Sequence, residues 1–554
     1  MKIFTASLNS KFVHSNLAVR YLKEYSGEFN VRVYEYTINE SPFDIAFDIA
    51  GKKPDIIGFS CYIWNIENTL KVCSILKEIN KNIVIILGGP EVSYDQISVL
   101  KNNSYIDFIV YGEGEISFKN LLDSLVNNKS LHEIKGIAFR ENGKIFLNEP
   151  EPLIENLDML PFPYKSGIPD RIVYYEASRG CPFNCKYCLS STIRGVRYFS
   201  IERVKKDLLV FINNNVKLVK FVDRTFNANK KFANEIWKFL IDNAKHTTFH
   251  FEISADLLDE ENLKILESAP IGLFQFEAGV QTTNPEILKN INRVMDFNKI
   301  ADNIRRIEDT GKMHCHMDLI AGLPGEDIES FKNSFDMCMS INPDVLQLGF
   351  LKVLKGSSMC DEAEKYGIHY IKYPPYQVLY TDNMTFDDMD ELIKMEDVFD
   401  AYYNSGNFKT TFDIVLRKVD SQYDFFKNFK DYLINKGYFK KKFDLVRKSH
   451  ALYEYCSKFM DIKLLADLIL YDYIFTEKKQ LIPDFLKVDL NKDIKKTVNE
   501  NKENIIKELQ CNNFKTIVYI PVNYRIYKEN SIYTINEKPG IAVFNFNKRE
   551  CSYI

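Results

Sequence analysis

Ser178-Arg179-Gly180-Cys181-Pro182-Phe183-Asn184-Cys185-Lys186-Tyr187-Cys188 places three of the chain's 11 cysteines within one short stretch. Thiolates so close can all reach one centre, and they suit zinc or iron–sulfur clusters. A structural zinc site usually takes four protein ligands from two separated pairs, and no second CxxC pair or neighbouring histidine pair accompanies this one. Three cysteines without a fourth nearby fit better a four-iron cluster with one iron left open. The remaining eight (Cys61, Cys73, Cys315, Cys338, Cys360, Cys456, Cys511, Cys551) are scattered. An odd count in a long chain without an export signal argues against a disulfide framework.

Outward from the cysteines, apolar runs alternate with helical patterns. Candidate strands are Ile172–Ala177, Leu218–Asp223, Phe249–Ser254, Leu273–Val280, Met313–Ile320 and Val345–Leu351. Six βα units in one sheet suggest a full or partial barrel, with its active face at the strand carboxyl ends. Upstream, residues 148–170 hold Pro150, Pro152, Pro161, Pro163 and Pro169, too many for a regular helix or central strand; they read as a linker. A hairpin turned at Asn142-Gly143 precedes it. Residues 1–130 repeat a shorter βα rhythm (Ile3–Ser7, Val31–Tyr36, Ile56–Ser60, Ile83–Leu87, Ile106–Val110), which implies a doubly wound parallel sheet binding ligands beyond its strand carboxyl ends.

The expected division is therefore 1–130 doubly wound, 131–170 hairpin and linker, 171–384 partial (β/α)6 barrel, and 385–554 mostly helical with a small β element (Thr516–Pro521, Ser531–Ile535, Gly540–Phe546). The length of 554 residues accommodates such a multi-domain α/β chain. Apolar residues at 45% and charged residues at 27% mark an ordinary globular composition. A net charge of −4 gives no support to a generally nucleic-acid-binding surface. No apolar run is long enough for a membrane span, and the first residues read as a strand rather than a secretory signal, so a cytoplasmic protein is expected.

CxxxCxxC with an aromatic before the last cysteine, at the first strand of a βα barrel, resembles the radical S-adenosylmethionine (SAM) superfamily. The resemblance implies that Cys181, Cys185 and Cys188 bind three irons of a [4Fe–4S] cluster. The fourth iron would bind the amino and carboxylate groups of SAM, whose reductive cleavage releases a 5′-deoxyadenosyl radical. It also implies SAM contacts for Tyr187 (adenine), Asp223 (amino group), Ser254 (ribose or carboxylate), Glu277 and Gln281 (polar contacts), Arg293 (carboxylate), Gly322 (adenosine) and Leu354 (adenine). Gly-Gly-Glu, frequent in the superfamily at the second strand end, is replaced here by Val222-Asp223-Arg224.

A doubly wound domain ahead of such a barrel resembles the superfamily's cobalamin-binding branch, on the segments Pro54–Ser60, Gly88-Gly89-Pro90-Glu91 and Gly112-Glu113-Gly114-Glu115. By that resemblance Ser60, Cys61, Tyr62, Trp64, Gly88, Gly89, Pro90, Glu91, Gly112, Glu113 and Gly114 cradle the corrin and its nucleotide tail, with His14 a further candidate contact and Trp64 a shield for the lower face. The Asp-x-His-x-x-Gly motif of cobalamin enzymes is absent around His14, so the cobalt is expected to lack that ligand.

The implied activity is cobalamin-dependent radical SAM chemistry, foremost methyl transfer to an unactivated carbon. Alternatives are a cobalamin-dependent rearrangement, cyclisation or redox reaction, and an iron–sulfur sensor or binding protein that does not cleave SAM. Transfer-RNA methylthiolation fits less well, because neither a further N-terminal cysteine cluster nor a strongly basic C-terminal module is present. No catalytic side chain is assigned. The substrate (small molecule, peptide or nucleic acid) is open. An electron donor such as flavodoxin or ferredoxin is expected, and no membrane partner. By position alone, residues 385–480 are expected to dock at the barrel mouth and select the substrate.

Overall fold

The computed structural model describes residues 1–439, 443–477, 482–486, 496–498, 500–509, 517–529, 532–545 and 550–554. Seven strands form the first sheet: β1 (Ile3–Asn9), β2 (Arg32–Thr37), β3 (Ile56–Ser60), β4 (Val84–Gly88), β5 (Phe108–Val110), β6 (Ile137–Glu141) and β7 (Lys144–Leu147). Their order is β2-β1-β3-β4-β5-β6-β7. β1 to β5 are parallel. β1 and β3 are buried along their whole length, as helical cover on both faces requires. Helices Pro42–Lys52 and Ile66–Ile79 supply one apolar layer, and Leu17–Tyr25 with Gly114–Asn127 the other. The hairpin extends this sheet, β6 pairing antiparallel with β5, so the sheet is mixed rather than wholly parallel. Asn142 and Gly143 at its turn both have positive φ, matching the twist of a two-residue hairpin loop.

The second sheet contains β8 (Val173–Tyr175), β11 (Leu218–Phe221), β12 (Thr248–Ile253), β13 (Phe274–Gln281), β14 (His314–Ala321) and β15 (Val345–Phe350), all parallel. The order β15-β14-β13-β12-β11-β8 leaves β8 and β15 as edges, so the barrel is open. β9 (Ser178–Cys181) and β10 (Gly195–Tyr198) form a separate antiparallel ribbon beside β8. Burial alternates strictly along β13 and β14. Phe274, Phe276, Cys315, Met317 and Leu319 pack outward beneath the helices, while Glu277, Gln281, His316 and Asp318 take the opposite parity, toward the lumen.

Residues 148–170 are a strap bound to the barrel. Ile154, Leu157, Leu160 and Tyr164 are buried in its core, and the Tyr164 hydroxyl donates to Tyr174 O at 2.6 Å. After β16 (His369–Tyr370) and β17 (Val378–Tyr380), helices Phe386–Phe399, Gln422–Asn435, Leu445–Cys456 and Ile462–Glu477 carry Phe and Tyr side chains into the same core. This region runs along the open edge and base of the barrel, where Asn404 both accepts from Leu346 N (3.1 Å) and donates to Leu346 O (2.9 Å) on edge strand β15. The Tyr403 hydroxyl donates to Pro343 O just ahead of that strand. The region also reaches the carboxyl end of the barrel, where Met389 of helix Phe386–Phe399 packs on Gly322 in the turn after β14.

The terminal β element comprises β18 (Ile517–Val522), β19 (Arg525–Glu529), β20 (Ile532–Asn536), β21 (Gly540–Asn545) and β22 (Glu550–Tyr553). Thr516, Ser531, Phe546 and Cys511 lie outside the described residues. Among the described residues no helix is long and apolar enough to cross a membrane.

Candidate cofactor sites

The cysteine loop grows from the β9–β10 ribbon. Cys181 ends β9 opposite Gly195, and Gly180 has φ +100 with Gly195 O pressed against the place of its missing side chain, so only glycine fits. Asp223 fixes the ribbon from behind. Fully buried, it accepts from Ala177 N (2.9 Å) and the Ser178 hydroxyl, and burial pushes its carboxyl up to about 7. It does not line the cavity, whose wall is formed next to it by Arg224 and Thr225. At the far end of the loop, Lys186 N donates to Ile291 O (3.0 Å) and its ammonium meets Glu362 at 2.8 Å.

Cys181, Cys185 and Cys188 line one cavity at the strand carboxyl ends, together with Tyr187, Arg224, Glu252, Ser254, Glu277, Gln281, Arg293 and Asp318. Among the described residues no group of three His, Cys, Asp or Glu side chains converges tightly enough to hold a single ion. Ligands of a four-iron cluster sit on separate irons, so three sulfurs spread around a common hollow fit a cluster rather than zinc. A histidine pair with zinc-like spacing, His246 and His250, supplies no fourth ligand: His246 is exposed, and His250 is bonded to Glu277.

The wall facing the cysteines carries buried polar atoms without partners: Gln281 Oε1, Arg293 Nε and Asp318 Oδ1. Buried polar groups are normally satisfied. Two acceptors and a guanidinium donor in one hollow fit a ligand with both ammonium and carboxylate groups, as SAM has. Burial holds Asp318 well above the usual carboxylate range. Arg293 Nη1 lies 3.7 Å from Cys185 Sγ, and its Nη2 donates to Gly279 O. Gln281 has φ +72 where β13 shifts register against β14. A bulge of this kind re-aims a side chain, and strain of this kind concentrates at functional sites.

Glu277 lies 3.2 Å from His250 Nε2, and that hydrogen bond holds its carboxyl below the usual range. Ser254 donates to Asp256 (2.6 Å), while Asn227 clamps its backbone through both N–H and C=O. Glu252, raised to about 7 by burial, and Asp318 were not singled out from the sequence. Their parity with Ser254 and with His316 was the available signal. Gly322 and Leu354 do not line the cavity. Gly322, at φ +83, is packed against Met389 and Val378, and Leu354 lies in the turn after β15, its N–H bonded to Lys352 O.

A second cavity, of about 400 Å³, lies between the carboxyl ends of β1 and β3 and the top of the barrel. His14, Tyr62 and Trp64 line it, as do Tyr174, Glu176, Arg179 and Arg224. The Tyr62 and Trp64 rings stack 4.5 Å apart and 4° from parallel, and Trp64 is 46% exposed. A flat aromatic face of this kind fits a planar macrocycle. His14 Nδ1 lies 2.7 Å from the Tyr174 hydroxyl, and burial lowers its basicity.

The other residues expected to cradle the corrin do not line this cavity. Ser60 Oγ accepts from Asn16, and Cys61 N donates to Gly88 O at 2.7 Å. Gly89, at φ +109, leaves no room for a side chain against Cys61 O. Pro90 begins a short turn, and Glu91 accepts from the Tyr376 hydroxyl of the barrel. Gly112 turns the chain at φ +78, and Gly114 opens the following helix. Glu113 meets Arg197 (2.6 Å) and Arg179 (3.5 Å) of the cysteine ribbon. Carboxylates at these strand ends therefore bind the two domains to each other.

Comparison with known proteins agrees with this anatomy. A B12 binding domain model matches residues 5–122, a radical SAM superfamily model 175–338, and a family described as a protein of unknown function, DUF4080, 364–537. An uncharacterised methyltransferase of Pyrococcus horikoshii is 29% identical over 61% of this chain and 75% of its own length. The cobalamin-dependent radical SAM methyltransferase TokK of Streptomyces tokunonensis is 24% identical over 58% of this chain and 50% of its own. An anaerobic magnesium-protoporphyrin IX monomethyl ester cyclase of Rubrivivax gelatinosus is 27% identical over 53% and 55%. The chain thus spans about half the length of the last two.

Among solved structures, the cobalamin-dependent SAM radical enzyme OxsB shares the fold with a TM-score of 0.58 at 15% identity, over 93% of this chain and 82% of that one. TsrM from Kitasatospora setae does so with a TM-score of 0.56 at 14% identity, over 68% and 79%. The cofactors are a [4Fe–4S] cluster with SAM in the barrel and cobalamin in the first domain. With a B12-binding domain, a radical SAM barrel and a DUF4080 region in one chain, the protein belongs to the cobalamin-dependent radical SAM enzymes.

Proposed function

We propose that this enzyme transfers a methyl group to an unactivated carbon. The observation that carries the reading is that the cysteine cavity and the aromatic-floored cavity are neighbours, with Arg224 in the wall of both. A substrate held there is within reach of both cofactors, and two of the relatives described above are named methyltransferases. When bound, the cofactors supply a hydrogen-abstracting carbon radical and a transferable methyl group.

The chain's own residues hold and orient. Cys181, Cys185 and Cys188 grip three irons. Gln281, Asp318 and Arg293 bring acceptors and a donor to the amino-acid end of SAM, and Tyr187 closes one wall. Tyr62 and Trp64 present a flat face to the corrin. Asp223 keeps the cysteine ribbon in register with β8. Methyl transfer to carbon leaves no proton for a side chain to move, so no general acid or base is assigned. A low-potential one-electron donor such as flavodoxin or ferredoxin completes the scheme.

The test is anaerobic turnover of the reconstituted full chain with SAM labelled in its methyl group. The expected result is labelled product, with S-adenosylhomocysteine and 5′-deoxyadenosine formed together. Unlabelled product alongside 5′-deoxyadenosine would favour a rearrangement or cyclisation, the chemistry named for the Rubrivivax relative. Absence of 5′-deoxyadenosine with every reductant and substrate would favour an iron–sulfur sensor.

A further inference from the structure

Two arginines face the cysteine cavity, and their surroundings differ. Arg293 is partly buried, with one nitrogen near Cys185 Sγ and another on Gly279 O. Arg224 follows Asp223 at the end of β11 and is exposed. Among the described residues, it alone lines both cavities. None of the hydrogen bonds or ion pairs found among those residues involves its guanidinium.

Acid is available on both sides of it. Glu252 stands in the cysteine cavity, and Glu176 in the other. Glu176, however, is engaged by Arg179 at 2.8 Å, and burial pushes it up. Glu252 is itself raised to about 7. Arg224 attracts Glu252 through space but makes no ion pair with it, so where a substrate must lie to reach both cofactors it presents a planar fork of donors matched to a carboxylate or phosphate.

We propose that Arg224 anchors an anionic group, carboxylate or phosphate, of the substrate at the junction of the two cavities. The assignment rests on the proposed function for the identity of the ligand as substrate, but anion binding at Arg224 is measurable without turnover.

The experiment uses the full chain carrying its cluster, cobalamin and SAM. Saturation-transfer NMR is recorded with acetate, with methylphosphonate, and with methylammonium as a cationic control, all at constant ionic strength. The expected result is saturable binding of at least one anion and none of methylammonium. Acetate favoured over methylphosphonate indicates a carboxylate substrate, and the reverse a phosphorylated one. In Arg224→Gln the anion should bind about tenfold more weakly or worse, the loss of a charge-assisted contact, and Arg224→Lys should recover part of it.

Iron and cobalamin content are measured on each variant. Anion binding that is absent from the wild type, or equal in Arg224→Gln, overturns the proposal. So does loss of cobalamin from Arg224→Gln with iron retained, which would make Arg224 a corrin contact. If anions bind as described but labelled methyl never reaches a product, the methyl-transfer reading fails and the anion site stands.

Discussion

Glu326 closes the turn Gly322-Leu323-Pro324-Gly325-Glu326 after β14, yet it does not face the cofactors. It is fully buried, its Oε1 accepts from the Thr282 hydroxyl at 2.7 Å, and Oε2 has no partner. Burial pushes its carboxyl up to about 8. Between the ordinary carboxylate range and that value the folded chain holds a proton that the unfolded chain has released. Stability from this group therefore falls as pH rises toward 8, by at most about 1.4 kcal/mol per pH unit. Glu326→Gln keeps an acceptor for Thr282 and puts an amide where the acid proton sits. It should match or slightly trail the wild type at pH 5 and be the more stable of the two at pH 9 in urea unfolding. Parallel pH profiles would rule this out. The same difficulty limited what the sequence revealed at this scale. Cysteine spacing is local and legible, whereas a carboxylate at a strand end looks alike whether it lines a cavity, as Glu277 does, or braces the surrounding chain, as Asp223 does at Ala177 N and Glu326 at the Thr282 hydroxyl.

The β9–β10 ribbon joins the cluster to the cobalamin domain. Arg179 and Arg197 stand opposite each other in its register. They meet Glu113 and Glu115 from the first domain and Glu176 from the barrel. All five side chains are at most 13% exposed. Burial favours protonation of Glu113, but Arg197 and Arg179 outweigh it and hold its carboxyl below the ordinary range. Removing one member of such a buried network typically costs about 3–5 kcal/mol, because its partners stay charged without compensation. Glu113→Ala should thus loosen the two domains, with faster proteolysis in residues 148–170 and less iron retained per chain. Unchanged proteolysis and full iron content would show the network to be dispensable. The six barrel strands were legible to within two residues because alternation extends along them. The ribbon was not: its strands, Ser178–Cys181 and Gly195–Tyr198, are mostly polar or glycine and show no apolar alternation, and the hairpin's choice of β5 as neighbour is a long-range contact that no local pattern encodes.

At the scale of the molecule, one apolar core runs from the barrel into the C-terminal region. Phe335, on the barrel helix Ile328–Met339, lies with its ring centre 5.3 Å from that of Phe399 and 5.8 Å from that of Tyr423. Met339 and Ile341 line a cavity together with Phe412 and Leu416. Edge strand β15 has Leu346 N and O satisfied by the Asn404 side chain, which covers part of that exposed edge. The change after residue 385 to a mostly helical pattern rich in Phe and Tyr reads as a separate domain, but frequent Phe and Tyr equally describe a face that completes a neighbour's core. Uncovering four such side chains (Phe335, Met339, Ile341 and Leu346) costs about 6–12 kcal/mol, comparable to the whole stability of a typical domain at about 5–15 kcal/mol. A chain ending at residue 384 should therefore aggregate or show no cooperative unfolding transition, and take up no cluster on reconstitution. A soluble truncated chain that binds iron and still forms 5′-deoxyadenosine would instead make the barrel self-sufficient and return the C-terminal region to a separable role.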